Sequence, residues 1–318
     1  MIHDETLPDQ VVERLNPQGV VIFLFHGVIA RQEHSIRNYT GKHLLQPLFE
    51  SCMARLSRKG TALSMDEILA ISKKRAPFPP NSFAVTFDDG FENNLTLAAP
   101  ILRHWRIPAT VYLTTSFIES NQMSWIDRIE RAVEETQAKE IRLETNLSPH
   151  SLQHQNGKIE FLKAVRIHAK TRTECCPHRL ADEICEELGN VRGDQSDDAL
   201  DKKLNWKQVA EARASGILHF GGHSHTHAIL SFLSTEQLDA ELDTSLGLLR
   251  ERGGVGPIHY SYPEGLAHCF SDQVIQAMRK RGVECCPTAI EGVNTEGTDP
   301  FRLFRILVAE NKCVELLV

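Results

Sequence analysis

Short apolar runs alternate with amphipathic stretches along most of the chain. Residues 20–25 form an unbroken β-branched and aromatic run that ends at His26-Gly27, and residues 83–87 form another that ends at Asp88-Asp89-Gly90. Pro108 precedes a third run at 109–113, and 217–221, 258–262 and 304–308 continue the series. Runs of this length are expected of strands covered on both faces. Between them apolar residues recur at helical spacing. Leu44, Leu45, Leu48, Cys52 and Leu56 form one stripe, closed by Gly60, and 66–72 and 95–105 read as further helices. Asn205-Trp206-Lys207-Gln208 and Ser234-Thr235-Glu236-Gln237 are capping-box patterns. The first predicts a helix ending near Gly216. The second opens a helix striped by Leu238, Leu242, Leu246 and Leu249, and Ser271 is placed to cap another that runs to Arg281. Strand, helix, strand order predicts parallel β/α units, hence an α/β fold: a distorted or incomplete (β/α) barrel of about seven strands, with reactive groups at the carboxyl ends of the strands.

The texture changes between 120 and 204. Strand-like runs disappear, charge rises, and amphipathic helices are expected at 126–137, 158–169 and 179–188. The chain therefore reads as one domain over 1–318 with a helical insertion at 120–204 that supplies part of a substrate pocket or an oligomer contact. Within it, 193–201 is acidic and is expected to be a mobile loop.

Composition narrows the classes. At 318 residues, 41% apolar and 24% charged, the chain is ordinary for a soluble globular protein. A net charge of -7 with no basic block argues against nucleic acid as a partner. Residues 1–19 are polar and acidic, without the basic start and apolar run of a signal peptide, and the run at 20–25 is far too short to span a bilayer. The eight cysteines, Cys313 among them, include no CxxC pair, and Glu-Cys-Cys-Pro occurs twice, at 174 and 284, with unmatched flanks. Reduced thiols and a cytoplasmic location are expected.

Two stretches carry chemistry. Asp88 and Asp89 stand side by side at the mouth of an apolar strand, where paired ionised carboxylates are tolerated only if a cation or a proton compensates one of them. His223-Ser224-His225-Thr226-His227 follows Gly221-Gly222, which is expected to let the backbone bend tightly just before the histidines. Three histidines in five residues is a metal-site composition, and two imidazoles with one carboxylate leave coordination positions open. Taken singly, a solvated Asp-Asp-Gly turn and a solvated histidine loop would account for each stretch. His34, His150, His154 and His168 lie in polar or inserted segments and are expected at the solvated surface.

Together the two stretches resemble the polysaccharide deacetylase family, also called the NodB-homology or carbohydrate esterase 4 family. Thr86-Phe87-Asp88-Asp89-Gly90 matches its first motif at every position, and His223-Ser224-His225-Thr226-His227 matches the His-Ser/Thr-x-x-His of its second. Tyr262-Pro263-Glu264-Gly265 matches the third in part. The resemblance implies a distorted barrel and a divalent metal held by Asp89, His223 and His227. Zinc is the first choice on ligand type, although the same donors suit other ions. It further implies that Asp88 is the general base and that the backbone N–H of Glu264 helps to stabilise an oxyanion. Three departures follow. Ser261 stands where the family carries an arginine that holds the base, Glu264 replaces a tyrosine, and 303–308 lacks the Leu-x-x-His of the usual acid. His26, at the end of the 20–25 run, is the candidate acid, with His225 and Glu264 as rivals. The expected activity is removal of an N-acyl group, acetyl above all, from an amino sugar that is nucleotide-linked, lipid-linked or part of an oligosaccharide. Hydrolysis of a non-sugar C–N bond on the same scaffold and an inactive carbohydrate-binding relative are the alternatives, and a homo-oligomer is compatible with the insertion.

Overall fold

The computed structural model describes residues 6–143, 150–173, 175–190, 193–256 and 258–310. The start of the polar N-terminal stretch and Cys313 lie outside these residues. Val20–Phe25, Ser82–Phe87, Ala109–Leu113 and Leu218–Gly222 are parallel neighbours in one sheet, with Ile306–Leu307 beside Val20–Phe25 on the other edge. Val20–Phe25 and Ser82–Phe87 are buried at every position, as both faces of a parallel sheet are when helices cover one and a barrel interior the other.

Single parallel bridges continue the order past the last strand. Gly222 pairs with Tyr260, His259 with Cys285 and Pro287 with Leu303, and Ile306 returns to Phe23. The circuit is a distorted (β/α) barrel, regular over the strands 20–25, 82–87, 109–113 and 218–222 and thin elsewhere. Segment 258–262, read from its pattern as a strand, contributes only bridges at His259 and Tyr260.

Local signals place the helices well. Both capping boxes form, at Asn205 before Trp206–Ala214 and at Ser234 before Thr235–Glu251. Gly60 ends Gln46–Lys59, but Leu44 and Leu45 leave the predicted stripe for a short strand, His43–Leu45, paired with Gly27–Ile29. Gly221 and Gly222 are extended rather than bent. Their requirement is close approach, since a Cβ on Gly222 would sit 2.2 Å from the Tyr260 ring and one on Gly221 2.7 Å from the His259 carbonyl oxygen.

The inserted segment builds Trp125–Glu135, Gln155–Thr171 and Pro177–Glu187. They bury Ile129, Phe161, Val165, Leu180 and Ile184 in an apolar cluster separate from the barrel core. A two-residue antiparallel ladder, Glu140–Ile141 with His150–Ser151, stands where strands were not expected. The acidic stretch 193–201 is pinned. Arg37 binds Asp198 and Asp201, and Arg131 donates to the carbonyls of Gly193 and Gln195. Buried guanidinium groups that need acceptors convert a solvated acidic loop into a structural one.

Candidate active site

Register brings the motif residues to one rim. Phe25 pairs with Phe87, so the next residues, His26 and Asp88, leave adjacent strands at the same level, and Asp88 N–H donates to the Phe25 carbonyl at 3.1 Å. Leu113 pairs with Gly222, and the His223 N–H donates to the Leu113 carbonyl at 2.9 Å. Asp89, Ser224, His227 and Glu264 adopt positive φ of 73°, 65°, 60° and 61°. Left-handed backbone at four non-glycine residues around one rim is the kind of strain that function retains.

Asp89, His223 and His227 turn one donor atom each toward a common point, all within 4.8 Å of one another. Asp89 Oδ1 lies 3.3 Å from His227 Nε2 and 3.8 Å from His223 Nε2. His223 Nδ1 is 3.0 Å from the Ser261 carbonyl, which accepts its proton and so leaves Nε2 with a lone pair aimed inward. Asp89 Oδ1 is buried with no hydrogen-bond donor among the described residues. A carboxylate oxygen without a donor, facing imidazole nitrogens at these distances, fits a divalent cation at that point, with zinc suited to the donor set. Burial would raise the Asp89 pKa, but His227, His26 and His223 outweigh it and hold the carboxyl below its ordinary range. Burial pushes the His223 imidazole down, which favours its neutral form.

Asp88 belongs to a different arrangement. Arg305 grips it with two parallel bonds, Nη1 to Oδ1 at 2.9 Å and Nη2 to Oδ2 at 2.8 Å. The guanidinium is fully buried, and its remaining donors go to Ser261 Oγ at 2.8 Å, the Thr288 carbonyl at 2.5 Å and Thr86 Oγ1 at 3.4 Å. Burial alone would raise the Asp88 pKa, and Arg305 with His223 reverses that, keeping the carboxyl ionised below the usual carboxylate range. The arginine missing at position 261 is thus supplied from the last strand, with Ser261 filling in beneath it. The sequence carried a signal for this, since Arg305 interrupts an apolar run and a buried guanidinium must find a carboxylate.

The remaining candidates separate clearly. His225 Nδ1 meets Thr115 Oγ1 at 2.9 Å, away from the three ligands. Glu264, only partly accessible to solvent, is paired with Lys170 at 2.5 Å, and although desolvation opposes it, Lys170 holds the carboxyl ionised. No backbone–backbone hydrogen bond among the described residues uses the Glu264 N–H. His26 lines the chamber, its Nδ1 buried without a partner, and burial lowers its pKa to about 4 despite Asp89. His34, expected at the solvated surface, instead packs against Asp198 at 3.0 Å, while His154 is exposed.

Sequence reasoning passed over several other residues. Glu241, on Thr235–Glu251, accepts from the N–H groups of His225 and Thr226 at 2.8 and 2.6 Å and so anchors the histidine loop. Lys42, Arg166 and Lys170 line the chamber, each matched by a carboxylate: Asp127 at 2.6 Å, Glu130 at 2.7 Å and Glu264 at 2.5 Å. Trp125 from the inserted segment completes the wall.

The model of a family described as polysaccharide deacetylase matches residues 75–193 and 191–286. The poly-beta-1,6-N-acetyl-D-glucosamine N-deacetylase of Staphylococcus aureus strain MSSA476 is 30% identical over 132 residues, 41% of this chain and 44% of that protein. The chain therefore spans less than half the length of this relative. The Streptococcus pyogenes deacetylase PplD, solved in complex with acetate, superposes with a TM-score of 0.61 at 15% identity, covering 95% of this chain and 99% of the other. IcaB from Ammonifex degensii gives 0.59 at 15% identity, covering 95% and 97%. At these identities the structural likeness is one of fold. Among the described residues no helix is long and apolar enough to cross a membrane.

Proposed function

Because the chain belongs to the polysaccharide deacetylase family, we propose that it is a divalent-metal-dependent hydrolase that removes a small N-acyl group, acetyl in the first instance, from an amino sugar. The observation that carries the reading is the division of labour between adjacent carboxylates: Asp89 faces two imidazoles, and Asp88 is held apart by Arg305. When bound, the metal supplies Lewis acidity toward the amide carbonyl and lowers the pKa of a water molecule. Asp88, oriented and kept ionised by Arg305, accepts that water's proton. The Glu264 N–H donates to the oxygen on which charge develops. His26 donates to the departing amine. Its imidazole is neutral near pH 7, so the proton it gives to the amine is the one Asp88 took from the water, passed from Asp88 to His26 within the turnover.

The chamber also supports a neutral sugar. Lys42, Arg166 and Lys170 are neutralised by Asp127, Glu130 and Glu264, and Asp88 by Arg305, which leaves Asp89 for the metal and little net charge toward a substrate, and Trp125 offers an apolar face.

The test is acetate release from nucleotide-linked, lipid-linked and oligosaccharide N-acetyl amino sugars, with metal content measured alongside. Asp89→Asn should lose metal, and Asp88→Asn should keep it while losing most turnover. Full metal in both variants would remove Asp89 from the ligand set, and no acetate from any substrate with metal bound would overturn the activity.

A further inference from the structure

Beyond the wall formed by Lys170 and Glu264 lies a second cavity of about 350 Å³, against about 50 Å³ for the metal chamber. The two share Trp125, Lys170, His227 and Glu264 and so lie back to back across these four side chains. Ala169 and Pro177 from the inserted segment face Ile229, Phe232 and Leu233 from the loop after the histidines. Its size lies in the range of small-ligand sites.

Most polar groups of this cavity are already engaged, the buried Nδ1 of His227 being an exception among the described residues. Thr226 Oγ1 bonds to Glu241 at 3.0 Å, its carbonyl meets His178 Nε2 at 3.2 Å, and Gln237 Oε1 accepts the Ser234 N–H at 2.9 Å. Lys170 and Glu264 are paired with each other. A second sugar ring placed here would bury hydroxyls with few free partners, at a cost for each, whereas a hydrocarbon would not.

We propose that this cavity binds a hydrocarbon group carried by the amino-sugar substrate, so that the enzyme acts on an amphipathic, lipid-bearing sugar. The inference rests on the deacetylase reading for the reaction but not for the binding. Two attachments supply the same chemistry, an alkyl aglycone or a long N-acyl chain, and the small metal chamber favours the aglycone with a short acyl group at the metal.

The experiment measures binding by calorimetry to the Asp88→Asn protein and release of the carboxylate, acetate or octanoate, by the wild type. The ligands are methyl, butyl and octyl glycosides of N-acetylglucosamine, together with N-octanoylglucosamine, all below their micellar concentrations. Affinity should rise by up to roughly fourfold for each methylene that enters the cavity, then level off. Phe232→Asp should flatten the series and leave the methyl glycoside unchanged, with Leu233→Asp as a second variant should the first fail to fold. A gain confined to the octyl glycoside assigns the cavity to an aglycone, and one confined to the octanoyl amide assigns it to the acyl chain. Octyl ligands that bind no tighter than the methyl glycoside would overturn the proposal. Tighter octyl binding with no acetate released from the glycosides and no octanoate from the octanoyl amide would uphold the cavity and refute the reaction instead.

Discussion

Replacing Arg305 by Met separates the base from its support while nearly conserving volume. The substitution removes both bonds to Asp88 and those to Ser261 and Thr288, yet touches none of Asp89, His223 or His227. Removing one partner of a buried pair costs about 3–5 kcal/mol, because the other charge is left without compensation. For a chain of this length that corresponds to a fall in melting temperature of roughly 5–8 °C. The sign with pH follows from the depressed Asp88 pKa. In the wild type the stability from the pair is complete above the unfolded carboxylate value of about 3.9 and is lost as pH falls through the lower folded value. In the variant only His223 and His26 still oppose burial, so Asp88 takes up a proton at a higher pH than in the wild type. The melting difference should therefore be widest near neutrality and narrow on acidification. The acidic limb of kcat/KM should move upward, with activity near pH 7 down by about 10²-fold and partial recovery in alkali. The assays are thermal melting against pH, metal content, and acetate release against pH. Full metal, an unmoved acidic limb and a loss uniform in pH would refute a role for Arg305 in keeping Asp88 ionised.

His26→Ala should depress amide hydrolysis by roughly 10²-fold while sparing activated aryl esters, whose leaving groups need no proton; equal loss on both substrates would point to a structural role. Glu241→Ala deletes the acceptor for two loop N–H groups and should weaken metal affinity by about 10- to 100-fold without changing the ligands, read by competition with a chelator. Unchanged affinity would show that the histidine loop holds its shape without Glu241.

Much of this was decided locally and can be read from the chain alone. A strand covered on both faces announces itself as an unbroken apolar run, and a capping box needs only residues three apart, as at Asn205 and Ser234. The two motifs, being contiguous, carried with them the three donors that converge, Asp89, His223 and His227. What only the tertiary structure decided are pairings between distant residues, because they depend on strand register and on which side chains converge inside the barrel. Arg305 meets Asp88 across 217 positions, filling a gap that position 261 had left. Lys170 reaches Glu264 from the inserted segment, and Arg37 fixes Asp198 and Asp201 in a stretch whose composition alone suggested mobility. Gly221 and Gly222 make the same point, since the ring and carbonyl that exclude a side chain there belong to a neighbouring segment. Propensity and periodicity act over a few residues, whereas a buried charge is satisfied only by whatever the fold carries to it.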